Sequence, residues 1–216
     1  MDTFVPLQPA DQQRLYRFAF GLALFTIFYN IVEGLVAAYF GCEDSSLALF
    51  GFGVDSFIEV ISGLGIAHMV LRIQHQPEID RDDFERTALT ITGYSFYALV
   101  LGLTASSVYN VWTGHTPTTT LWGVIISLVS IAVMWALLCG KKRIGRQLNS
   151  DAILADAECT KVCIWLSLIL LASSGIYEMT KFAYIDPLGA LGLAYVSLRE
   201  GKECFEKVKK NGHCTC

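Results

Sequence analysis

Charge is what this sequence has least of: Asp, Glu, Lys and Arg make up 17% of its 216 residues, against 53% hydrophobic. With a mean hydropathy of +0.47, that balance excludes an ordinary soluble domain. Also missing are a Gly-rich phosphate loop, a nucleophile motif with a paired base, and a basic patch for nucleic acid. The short Lys-rich tail suits lipid headgroups better than RNA or DNA. The seven cysteines are odd in number, lie in or beside apolar blocks and follow no secreted-domain spacing, which excludes a disulfide framework. Cys42, Cys139 and Cys204 read as small buried hydrophobes. No cleavable signal peptide is evident, because the first apolar block follows Arg14 and Arg17 and is too long for a signal core.

What is present is apolar sequence in blocks long enough to span about 30 Å of hydrocarbon at roughly 1.5 Å per residue. Six spans are predicted, at 15–40, 47–71, 86–112, 119–140, 151–175 and 184–201. The fold class is therefore all-α, a polytopic bundle of six transmembrane helices. Residues 1–14 form an N-terminal segment, 15–201 the membrane domain and 202–216 a short tail. The acidic stretch from Arg72 to Arg86, which contains Pro77, reads as a solvated loop, and the basic 140–146 as the connection between spans four and five. Placing the N-terminus, the second and fourth loops and the tail on one side gathers 14 of the 16 lysines and arginines there. Both termini are thereby expected in the cytoplasm, in a cytoplasmic (plasma) membrane. Glycine and serine inside the spans fit close helix packing in lipid.

Against this apolar background two pairs stand out. Asp55 and Glu59 are four residues apart and share a helix face, one turn above the other. Carboxylates in lipid are costly and mark a pathway or site, and two one turn apart repel unless a cation or proton lies between them. Cys159 and Cys163 repeat the spacing in span five. An i, i+4 pair on a helix is poorly placed for a disulfide, so the thiols read as shared ligands. Together the four side chains offer a tetrahedral set to one divalent metal. Asp156 lies one turn before Cys159 and is placed to orient a ligand or take a proton. Glu33, with Asn30, makes a polar face on span one and is a candidate for assisting ion entry. His213, Cys214 and Cys216 could capture a soft metal at the tail.

Having these pairs, the chain resembles the cation diffusion facilitator family of divalent-metal/proton antiporters. The likeness runs over about residues 15–205: Gly41 to Ser46-Leu-Ala-Leu leading into Val54-Asp55-Ser56, Ala155-Asp156-Ala157, and Asp186-Pro-Leu-Gly-Ala-Leu-Gly-Leu. The family carries a His- or Asp-x-x-x-Asp motif on span two and another on span five. Asp55 and Glu59 fall on the first, Cys159 and Cys163 on the second. Thiols at span five depart from the pattern and favour Zn²⁺ or Cd²⁺ over Mn²⁺ or Mg²⁺. The resemblance implies metal export by proton antiport and a homodimer; with only residues 202–216 after the last span, a short form without the family's usual cytoplasmic C-terminal domain is expected.

The expected function is alternating access around a mid-membrane site, with metal binding linked to proton release. The metal is cargo, no cofactor is expected, and the partners are the bilayer, the ion and protons, with no nucleic acid. An enzyme is not expected. A membrane thiol oxidoreductase using Cys159, Cys163, Cys214 and Cys216 is one alternative, although it lacks a C-x-x-C motif and leaves Asp55 and Glu59 unexplained. A non-transporting metal sensor or scaffold is the other.

Overall fold

The computed structural model describes residues 9–75, 83–114, 116–148, 151–182 and 184–209. They form six helices and, among the described residues, no strand: α1 Pro9–Glu43, α2 Leu47–His75, α3 Asp83–Thr113, α4 Leu121–Leu148, α5 Asp151–Thr180 and α6 Ile185–Lys209. This is the all-α bundle that the apolar blocks predict. Among the described residues, five helices contain a stretch long and apolar enough to cross a membrane: Gln12–Glu43, Leu47–Gly65, Thr90–Thr113, Leu121–Leu148 and Thr160–Thr180. The sixth, α6, turns polar in its second half, from Arg199 to Lys209. Large hydrophobics such as Leu101, Trp112, Trp135 and Tyr195 face outward, as a lipid solvent allows.

Two connections differ from expectation. Residues 140–146 are not a loop: α4 continues through them to Leu148. The apolar face of α4 keeps its helical phase beyond Gly140, and Lys141, Ile144 and Gly145 are all buried. Ile144 packs with Ala19 and Ile153, so tertiary contact holds the basic turn in the helix. The acidic connection is likewise shorter than predicted, since α2 runs to His75 and α3 begins at Asp83. Among the lone cysteines, Cys204 is buried as expected, whereas Cys42 and Cys139 lie on the bundle surface.

Local chemistry ends the helices. After α1, Ser45 takes a left-handed φ of 57°, and the Ser46 amide donates back to the Gly41 carbonyl at 2.9 Å, closing a Schellman turn. After α5, Lys181 also takes a left-handed φ, of 53°, and its own amide donates to Tyr177 O at 2.7 Å, the simpler left-handed cap. Lys181 also pairs with Glu178 and lies over the Tyr177 ring at 5.2 Å.

The α1–α2, α3–α4 and α5–α6 turns gather at one end of the bundle. Asp186, fully buried at the start of α6, caps the N-terminus of α2. Its carboxylate accepts Ser46 Oγ at 2.5 Å and the Leu47 amide at 2.8 Å. Glu178 accepts Thr119 Oγ1 at 2.6 Å and the Thr120 amide at 2.5 Å, tying α5 to the start of α4. Charge-assisted bonds to helix-end amides satisfy donors that have no partner within the helix. Asp186→Ala should therefore lower thermal stability by about 2 kcal/mol or more, through loss of a cap and of a buried acceptor. Thermal unfolding in detergent checks this; an unchanged midpoint would show that the cap is dispensable.

α1 and α2 pack most extensively on one another, as do α4 with α5 and α3 with α6. Glycine sets the closeness of the first pair. A Cβ on Gly53 would stand 2.5 Å from the Ala38 backbone nitrogen, and one on Gly41 would stand 2.4 Å from that of Phe50. Both obstacles are backbone, which no rotamer change relieves.

Candidate metal site between the second and fifth helices

The face of α2 that carries Asp55 and Glu59 turns inward, toward α5. Glu59 begins about twelve residues into α2, so it sits roughly 18 Å along the helix axis, near mid-bilayer depth. Two neighbours hold it. Cys163 Sγ of α5 lies 2.6 Å from Glu59 Oε1, and Asn30 Nδ2 of α1 donates to Oε2 at 3.0 Å. Residues 104 positions apart are thus in direct contact. Cys163 is itself buried.

Asp55, one turn away, is only 4% exposed. Its Oδ1 has no hydrogen-bond partner among the described residues. A buried carboxylate oxygen without a donor is costly, and its charge acts on both Glu59 and Cys163. The Oδ1 of Asn30 is orphaned in the same way. The region therefore has unused acceptors where a cation would be stabilised.

Glu33 is buried on α1 and belongs to an adjoining network. Tyr29 Oη donates to its Oε1 at 2.9 Å and Ser56 Oγ to its Oε2 at 3.2 Å. Below it, Ser167 of α5 and Ser130 of α4 are bonded at 2.9 Å. Glu33 is thus satisfied by hydroxyls, yet close enough for its charge to act on Asp55 and Glu59.

Of the four predicted ligands, Glu59 and Cys163 meet and Asp55 stands beside them. Cys159 and Asp156 lie on α5, but their side chains lie outside the described residues, as do His213, Cys214 and Cys216 entirely. Among the described residues, no three His, Cys, Asp or Glu side chains already form a metal-sized cluster. Two participants escaped the sequence reading. Asn30 was legible only as part of a polar face, not as the partner of Glu59. Lys141 falls by composition in the connection expected at 140–146, yet it is buried in α4 with its Nζ 2.9 Å from Thr160 Oγ1 of α5. Its spacing from Met134 and Leu137, seven and four residues, is the signal that puts it on the inner face.

An apolar helical bundle with carboxylates and a thiol converging at mid-depth defines a polytopic membrane protein of the cation-transporting class. The cation efflux transmembrane domain matches residues 19–208, most of the chain, and the protein belongs to that family, the cation diffusion facilitators. It is a metal-cation transporter. A search of curated proteins finds no match to the chain.

Proposed function

We propose that the protein exports a thiophilic divalent metal, Zn²⁺ or Cd²⁺, in exchange for protons, by alternating access around Asp55, Glu59, Cys159 and Cys163. The observation that carries this reading is the Glu59–Cys163 contact across α2 and α5, next to the orphaned Asp55 oxygen. Thiolate and carboxylate donors together suit Zn²⁺ and softer ions in tetrahedral geometry. Because these donors bind metal only after losing protons, loading the site releases protons and proton entry expels the metal. Asp156 orients or deprotonates a ligand in this reading, and Glu33 assists the ion at the site. The His213–Cys214–Cys216 tail captures soft metal before delivery. The protein works as a homodimer in the cytoplasmic membrane with both termini in the cytoplasm, the side that the basic residues favour. A thiol held against a carboxylate suits a shared metal ligand.

Purified protein in proteoliposomes tests the proposal. An imposed pH gradient should drive Zn²⁺ and Cd²⁺ flux, with Mn²⁺ slower, and metal movement should carry protons the other way. Flux of Mn²⁺ equal to that of Zn²⁺, or metal flux indifferent to the proton gradient, would overturn it.

A further inference from the structure

Lys141 carries an ammonium into the interior of the bundle. Lys141 is 2% exposed, within a helix otherwise lined on that face by Ile126, Ser130, Met134 and Leu137. A lysine seldom stays buried without anionic company, because removing its charge from water is expensive. Its Nζ donates to Thr160 Oγ1 at 2.9 Å. Thr160 precedes Cys163 by three residues and so shares its face of α5. The lysine's partner is thus one turn of α5 from the thiol that touches Glu59.

The charge of a loaded site explains why a cation belongs there. Metal binds thiolates and carboxylates, not their protonated forms. Two of each carry four negative charges, and a divalent ion leaves a net charge of about −2 by that count. Glu33 and Glu200 add carboxylates close enough to act on Asp55. An excess of negative charge in a low-dielectric interior is costly unless compensated.

We infer that Lys141 is a fixed internal cation that balances the thiolate-rich ligand set and so sets how tightly the loaded site holds its metal. This rests on the ligand assignment proposed above. Lys141 acts as a positioning residue: it tunes the ligands from α4 without coordinating the ion. The competing account makes it a mechanical link between α4 and α5 through Thr160.

Glutamine separates the two accounts, because it keeps a donor for Thr160 while losing the charge. Zn²⁺ binding is measured on purified protein in detergent by competition with a chromophoric chelator, after thermal unfolding shows that each variant is folded. Lys141→Gln should weaken Zn²⁺ binding about tenfold or more, as expected for losing one nearby charge in a poorly solvated interior. Lys141→Arg should stay within about threefold of the parent, because its charge is retained. Combining Lys141→Gln with Cys163→His should recover most of the loss, since a neutral imidazole removes one negative charge while still ligating. If Lys141→Gln is not recovered folded, Lys141→Met with Thr160→Val, which removes ammonium and link together, is compared with Thr160→Val alone, which breaks the link but keeps the charge and should stay near parental affinity. Parental Zn²⁺ affinity in the charge-free variant, or no recovery in the histidine double variant, would overturn the inference. Parental affinity in Cys163→Ala would instead sink the ligand assignment, so the two failures are distinguishable.

Discussion

Replacing Asp55 or Cys163 with alanine should abolish metal flux while leaving the protein in the membrane. A loss on the order of a hundredfold or more is expected, because losing even an outer partner of a metal ligand costs about 10–100-fold. Asp55→Ala removes the buried carboxylate whose Oδ1 has no partner among the described residues. Folding should tolerate that change, since it removes an unsatisfied group. Cys163→Ala takes away the thiol beside Glu59, yet Asn30 still holds the other carboxylate oxygen. Flux in proteoliposomes, normalised to folded protein, measures both. Parental flux in the two variants would end the four-ligand reading.

Exchanging the thiols for the family's more usual span-five ligands should change selectivity. With Cys159→His and Cys163→Asp together, Cd²⁺ transport should fall relative to Zn²⁺, by about tenfold or more, since both substitutions harden the site. Zn²⁺ should tolerate the change better, accepting sulfur, nitrogen and oxygen donors alike. The pH profile should move too. A carboxyl releases its proton near about 3.9 in water and a thiol near about 8.5, so metal binding should persist to lower pH in the variant. Cd²⁺ and Zn²⁺ uptake across a pH series gives both readouts at once. An unchanged metal ratio with an unchanged pH profile would mean that the thiols never touch the ion.

Much of the architecture is legible in the residues because lipid enforces simple rules: apolar length gives the helices, and an ionisable group inside them marks the site. The i, i+4 pairs on α2 and α5 name their candidates without any tertiary information. Helix ends are harder. The basic run at 140–146 looks like a connection by composition, but Ile144 and Gly145 have packing partners that composition does not show. The same blindness hides Lys141, whose role depends on Thr160 from another helix. Asp186 reads as part of a family-like motif, whereas its work as the cap of α2 appears only when α6 is set against it. Sequence periodicity gives each helix a face. It does not say which faces meet.

The hydrogen bonds of α1 with α2 bear on how the chain enters the bilayer as it is made. Glu59 is synthesised 104 residues ahead of Cys163, so the first two helices are in the membrane before the fifth exists. A lone charged residue such as Asp at the centre of an inserting helix costs about 2.5–3.5 kcal/mol on insertion scales. This hairpin brings its own partners: Asn30 for Glu59, and Tyr29 with Ser56 for Glu33. Gly53 lets the helices come close enough for those bonds to form. The first hairpin thus shelters Glu33 and Glu59 while translation continues, and α5 brings Cys163 to Glu59 when it arrives.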